Sequence, residues 1–158
     1  MKRPAILFVC LGNICRSPLA EAAFREAAAK AGLSCEIDSA GTGDWHVGLP
    51  PDERAQSTAL ENGLDIGHYR ARQVTVDDFD DFDHIVAMDS QNHASLRAIA
   101  PRQARAQLSM LLDHVEGQEG QSVADPYVGN SDDFRRCWET VSLGAAALAQ
   151  KLRNKHSV

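Results

Sequence analysis

The sequence predicts an α/β fold, a three-layer sandwich in which a four-stranded parallel sheet is flanked by helices. Three observations lead there. Short apolar runs alternate with stretches of helical periodicity along the chain. The first run, Ala5-Ile6-Leu7-Phe8-Val9, is apolar without a break, as a strand buried on both faces of a parallel sheet requires. The 158 residues, 44% of them apolar, suffice for one sizeable core. A single domain over residues 1–158 is expected, with no internal repeat and no linker.

The elements follow in order. After the first strand, Pro18 suits the first turn of a helix. Leu19, Ala20, Ala23, Phe24, Ala27 and Ala31 recur at helical spacing, and Gly32 ends it. Residues 35–38 read as a short strand and 41–51 as a long loop. A second helix occupies 52–62, between two prolines and Gly63. Residues 84–88 form the third strand, 90–100 a helix closed by Pro101, and 108–112 the fourth strand. The last helix is capped by Ser131. Phe134, Trp138, Val141, Ala145, Leu148 and Leu152 form its apolar stripe, and Lys151, Arg153 and Lys155 suit its negative end. Right-handed crossovers join such strands, and ligands bind at their carboxyl ends, where a loop enters a helix.

Composition narrows the function. A net charge of -6, with no basic tail, gives no general attraction to nucleic acid or anionic lipid. The start, Met1-Lys2-Arg3 followed by an apolar run, makes a poor signal peptide because Gly12, Asn13 and Arg16 interrupt it. No stretch has the length of a membrane helix. A cytoplasmic location with reduced thiols is therefore expected for the four cysteines, Cys10, Cys15, Cys35 and Cys137. The six histidines show no metal-ligand spacing, so neither metal nor other cofactor is expected. The acidic run 77–83 reads as a solvated turn.

The segment Cys10-Leu11-Gly12-Asn13-Ile14-Cys15-Arg16-Ser17 lies between the first strand and the first helix. Inward-pointing N–H groups of such a loop cradle an anion, and the helix dipole adds positive charge. Gly12 and Asn13 tolerate positive φ. Arg16 offers a planar fork that grips two phosphate oxygens, which a lysine cannot match. Beneath the cradle the same field favours a nucleophilic thiolate on Cys10, and Ser17 can donate a hydrogen bond to it as a leaving group. Cys10 as a buried strand-end cysteine and Arg16 as an exposed cap is the bland alternative. The joint spacing, the Gly-Asn pair and the serine favour chemistry.

With these residues in view, the sequence closely resembles the low-molecular-weight protein-tyrosine-phosphatase family. The resemblance runs through Val9 to Glu21, Asp38-Ser39-Ala40-Gly41-Thr42, Trp45-His46-Val47-Gly48 and Pro50-Pro51-Asp52. It continues through Ala71-Arg72-Gln73, Ala87-Met88-Asp89 and Asp125-Pro126-Tyr127. It implies a four-stranded parallel sheet, Cys10 as nucleophile, Arg16 as phosphate binder and Asp125 as general acid. The expected substrate is a phosphotyrosine-containing protein, and inorganic phosphate is the product. Unaided, Asp125 before Pro126 reads as a turn residue, and Trp45 or Tyr127 as packing residues. The resemblance makes the two aromatics walls of the substrate cleft, and assigns Asn13, Ser17 and Ser39 to a hydrogen-bonded layer behind the loop. Leu11, Gly12, Asn13, Ile14 and Cys15 belong to the substrate loop. A Cys10–Cys15 disulfide under oxidation is a further expectation.

Two departures stand out. Tyr69 occupies a position where family members often carry histidine, with His68 one residue earlier. Val128 replaces a second tyrosine common in animal members, so regulation by phosphorylation there is excluded. Two enzymatic rivals share the fold: arsenate reductase, whose downstream cysteine pair is missing here, and protein-arginine phosphatase, which carries threonine where Ile14 stands. A binding module without turnover would need neither Cys10 nor Asp125. Oligomeric state is not encoded legibly.

Overall fold

All six residues of β1 (Ala5–Cys10) are buried in the computed structural model, which describes residues 3–156. Met1 and Lys2, which open the segment weighed as a leader, lie outside the described residues, as do Ser157 and Val158. β1 sits at the centre of a four-stranded sheet of order β2-β1-β3-β4, comprising β2 (Glu36–Gly41), β3 (His84–Ala87) and β4 (Gln107–Met110). Every pairing is parallel. Alternation along β1 divides the core. Ile6, Phe8 and Cys10 belong to one apolar cluster, whereas Leu7 and Val9 belong to the other.

The first cluster is covered by α1 (Arg16–Lys30), α2 (Glu53–Glu61) and α5 (Ser131–His156). Within it the Phe8 and Phe24 rings lie 5.5 Å apart at 53°, a tilted pairing worth about 0.5–1.5 kcal/mol beyond area burial. The second cluster is covered by α3 (Asp78–Asp81) and α4 (Ser90–Ile99), through Phe79 and Leu96. The expected stripe of α5 is buried at Phe134, Val141, Ala145, Leu148 and Leu152, with Trp138 half-buried.

Several boundaries differ from expectation. β2 runs on to Gly41 because Ser39, Ala40 and Gly41 pair with Phe8, Val9 and Cys10, and ladder bonds override weak strand propensity. β4 stops at Met110, since Asp113 accepts the N–H groups of Met110 and Gly120 and draws 111–114 into a 3₁₀ turn. Ser131 does not cap α5. Asn130 does so, its side chain accepting from the Asp133 N–H while Asp133 accepts from the Asn130 N–H. The acidic run is no solvated turn either. It forms α3, in which Asp78 is buried and bridged by both Arg72 Nη atoms at 3.0 and 3.1 Å. Asp83 accepts the N–H of Ala5 and pairs with Arg105.

Candidate active site

β1 ends at Cys10, and the chain turns through Leu11–Cys15 into α1 at Arg16. Cys10 is 3% exposed; its Sγ accepts the N–H of Asn13 at 3.3 Å and lies 3.0 Å from Ser17 Oγ. Asn13 alone of the loop takes positive φ, at 59°. Gly12, expected to share that role, does not. Its missing side chain instead makes room for His46, whose ring would lie 3.0 Å from a Cβ there. α1 begins without a side-chain cap and without an acidic residue in its first turn, so no side chain of its own offsets its positive end.

Behind the loop, Asn13 Oδ1 accepts the N–H of Arg72 at 3.0 Å, which directs Nδ2 to Ser17 Oγ (2.8 Å) and Ser39 Oγ (3.0 Å). Ser39 donates to Glu21 Oε1 at 2.8 Å, and Arg25 holds Oε2. Burial raises the Glu21 pKa against the help of Ser39 and Arg25. β2 approaches so closely that a Cβ on Gly41 would come within 2.8 Å of the Leu11 carbonyl oxygen. Thr42 and Gly43 donate to the carbonyls of Cys10 and Leu11. Asn13, Ser17 and Ser39 thus brace the loop from behind rather than line the cavity in front of it.

That cavity, about 150 Å³, is lined by Cys10, Leu11, Gly12, Ile14, Cys15, Arg16, Trp45, His46, Asp125 and Tyr127. Trp45 and Tyr127 form its aromatic rim and are 68% and 48% exposed. Arg16 is buried. Its Nη1 donates to Asp89 Oδ2 at 2.7 Å and to the Val123 carbonyl at 3.0 Å, and Nη2 stands 3.6 Å from Asp125 Oδ2. Burial opposes its charge, yet the facing Cys10 sulfur, Asp89 and Asp125 raise its pKa. Asp125 sits in a turn and also at the cavity. Oδ1 accepts the N–H of Tyr127 as in a turn, while its carboxyl group also lines the cavity.

Four participants were not singled out from the sequence: Asp89, Glu21, His46 and Arg72. Asp89 carried a usable signal, since an acidic residue at the carboxyl end of β3, next to β1, borders the ligand side of a parallel sheet. It caps α4 through Oδ1 and braces Arg16 through Oδ2. Glu21 takes the Ser39 hydroxyl, whereas His68 is exposed and stands edge-on to Tyr69 at 4.8 Å. Burial, with the Glu21 charge, pushes the Tyr69 hydroxyl up to about 12. Glu21, Tyr69 and His68 line a separate cleft of about 490 Å³.

The four cysteines are free. Burial first, then the Asp52 charge, pushes the Cys15 thiol well above its ordinary value. Cys137 is isolated in sequence but not in space. Burial pushes its thiol up to about 12, and it lies near enough for the charges of Arg16, Cys10 and Asp125 to act on it.

Fold and loop together define a class, α/β proteins that carry a cysteine beneath a backbone cradle at a helix amino terminus. Within that class the sequence profile of the low molecular weight phosphotyrosine protein phosphatases matches residues 5–158. The chain belongs to that family of protein phosphatases, and it is a hydrolase. It is 43% identical over 153 residues to the low molecular weight protein-tyrosine-phosphatase YfkJ of Bacillus subtilis, covering 96% of this chain and 97% of that one. The crystal structure of YfkJ superposes with a TM-score of 0.91, covering 99% of both chains. The Schizosaccharomyces pombe low molecular weight phosphotyrosine protein phosphatase is 44% identical, covering 87% of this chain and 89% of its own. A drosophila arginine phosphatase also superposes, with TM-score 0.87 and 31% identity over 93% of this chain and 96% of that one. Among the described residues no helix is long and apolar enough to cross a membrane.

Proposed function

We propose that this protein hydrolyses phosphotyrosine in proteins, and small aryl phosphates, through a phosphocysteine on Cys10. The observation that carries the reading is the convergence of Cys10, Arg16 and Asp125 on one cavity with an aromatic rim. The phosphoryl group enters over the loop, and the Cys10 thiolate attacks phosphorus in line. Both Nη1 hydrogens of Arg16 are engaged by Asp89 and Val123, so the Nε–Nη2 edge is the one that grips the equatorial oxygens. Asp125, protonated, gives its proton to the departing phenolate oxygen. The same carboxylate then takes a proton from water, whose oxygen attacks phosphorus. The P–S bond breaks, the Cys10 thiolate departs with a hydrogen bond from Ser17, and inorganic phosphate is released.

Ile14, Trp45 and Tyr127 make the mouth of the cavity apolar and aromatic, which supports a phenyl ring over the guanidinium of phosphoarginine. A nucleophilic thiol also needs a reducing compartment, which supports a cytoplasmic setting. The profile match over 5–158 supports reading the chain as one domain. The test compares phosphotyrosine, phosphoserine and phosphoarginine peptides, together with arsenate reduction, on one preparation. Turnover of phosphotyrosine well above the others is expected. Preferred hydrolysis of phosphoarginine, or thiol-dependent reduction of arsenate, would overturn the reading.

A further inference from the structure

Arg54 stands in the first turn of α2, two residues after its cap, Asp52. Its Nε and Nη2 donate to Asp52 Oδ1 and Oδ2, each at 3.0 Å. The guanidinium's other bonds leave the helix. Nη2 donates to the Tyr127 carbonyl at 2.9 Å and Nη1 to the Gly129 carbonyl at 3.1 Å. Its Cζ lies 4.6 Å from the centroid of the Phe134 ring, in α5, and 5.7 Å from that of Tyr127. Asp52 in turn donates its N–H to the Ile14 carbonyl, inside the loop over Cys10, at 2.9 Å.

The segment that follows Asp125 needs such a support. Val128 is 94% exposed, and the bonds Tyr127 N–H to Asp125 Oδ1 and Gly129 N–H to the Pro126 carbonyl are local turns. Among the described residues, the hydrogen bonds that tie 125–129 to the chain outside it are the two from Arg54. Ahead of Asp125, Val123 is held by Met88 and Arg16. Asp125, whose carboxyl group stands 3.6 Å from Arg16 and whose neighbour Pro126 is buried, therefore lies between two hydrogen-bonded anchors, of which Arg54 is the rear one.

We propose that Arg54 is a positioning residue that fixes the distance between the Asp125 carboxyl and the Cys10 loop, and with it the stance of the Tyr127 ring. Asp52 and Arg54 form one strut, with the Ile14 carbonyl at one end and the Tyr127 and Gly129 carbonyls at the other. A planar fork is needed, since one point charge cannot hold Asp52 and two carbonyls at once while standing over the Phe134 ring. The inference rests on Asp125 as the general acid, and displacing that acid by about an ångström is enough to lose most of its contribution.

The test uses leaving groups. Dinitrophenolate departs without a proton, whereas phenolate needs one. Arg54→Met should lower kcat/KM for phenyl phosphate about tenfold or more, and for dinitrophenyl phosphate less than about twofold. Arg54→Lys should not restore the phenyl phosphate rate. Equal losses on both substrates, or no loss, would overturn the role. Should Arg54→Met fail to fold, Phe134→Leu removes the ring beneath the guanidinium and should show the same skew at smaller size; equal effects there would likewise overturn it. Asp125→Asn is the reference. If it shows no skew, the acid reading itself fails and the proposal with it; a skew in Asp125→Asn but not in the Arg54 variants removes Arg54 alone.

Discussion

Asn13 Nδ2 lies 2.8 Å from the Ser17 hydroxyl oxygen and 3.0 Å from that of Ser39, and this pair of bonds decides where the Ser17 proton goes. The amide cannot turn over, because Oδ1 already accepts from the Arg72 backbone. Ser17 therefore accepts from Asn13, and its own hydrogen is directed at Cys10 Sγ, 3.0 Å away, rather than at the more distant Ala40 carbonyl. Ser17→Ala should slow breakdown of the phosphoenzyme about tenfold or more, with formation less affected. Rapid-quench kinetics should show a burst of phenolate followed by slow turnover. Wild-type steady-state turnover would contradict the role.

Asp89 holds Arg16 by charge and caps α4 by geometry. Asparagine keeps the cap and loses the charge. Asp89→Asn should therefore lower kcat/KM about tenfold and weaken inhibition by phosphate, while thermal unfolding shifts by a few degrees at most. Unchanged kinetics would mean that Arg16 is oriented by the Val123 carbonyl alone.

In the acidic run, Asp78 is buried and paired whereas Asp80 is exposed. Removing Asp78 leaves Arg72 without its bidentate partner and the Thr75 N–H without an acceptor. Asp78→Ala should cost about 2 kcal/mol or more in urea unfolding, discounted from a fully buried pair because Arg72 is partly exposed, while Asp80→Ala should stay within about 0.5 kcal/mol. Equal effects would return this stretch to a solvated turn.

Burial, then the neighbouring Lys151 charge, lowers the His114 pKa from 6.5 to about 4. The unfolded chain then binds the proton more tightly than the folded one. The neutral side chain's contribution is complete above the unfolded value and is lost as pH falls from about 6.5 towards 4. His114→Gln should flatten that part of the stability curve, so that the wild type loses stability relative to the variant as the solution is acidified. Parallel curves in urea titrations between those pH values would count against this.

The fold was legible because β1 is apolar on both faces and the stripe of α5 recurs on one side of a long helix. What was not legible depended on partners far along the chain. Ser39 and Gly41 join β2 only because β1 lies beside them, and Asp78 is buried only because Arg72 reaches it. The loop from Cys10 to Ser17 was readable because one local segment brings together cysteine, cradle and arginine. Asp125 needed the family resemblance, since an aspartate before proline looks like any turn until the fold brings it to Arg16. Arg54 and Asp89 gave weaker signals, because each works through atoms that sequence does not place near it.

The most direct measurement is to quench Asp125→Ala during turnover of dinitrophenyl phosphate and locate the phosphate by mass spectrometry. Formation of the phosphoenzyme then needs no acid, while its hydrolysis lacks a base, so it should accumulate. One phosphoryl group on the peptide containing Cys10, absent in Cys10→Ser, is the predicted result. Phosphate on another residue, or full activity in Cys10→Ser, would contradict the covalent role of Cys10.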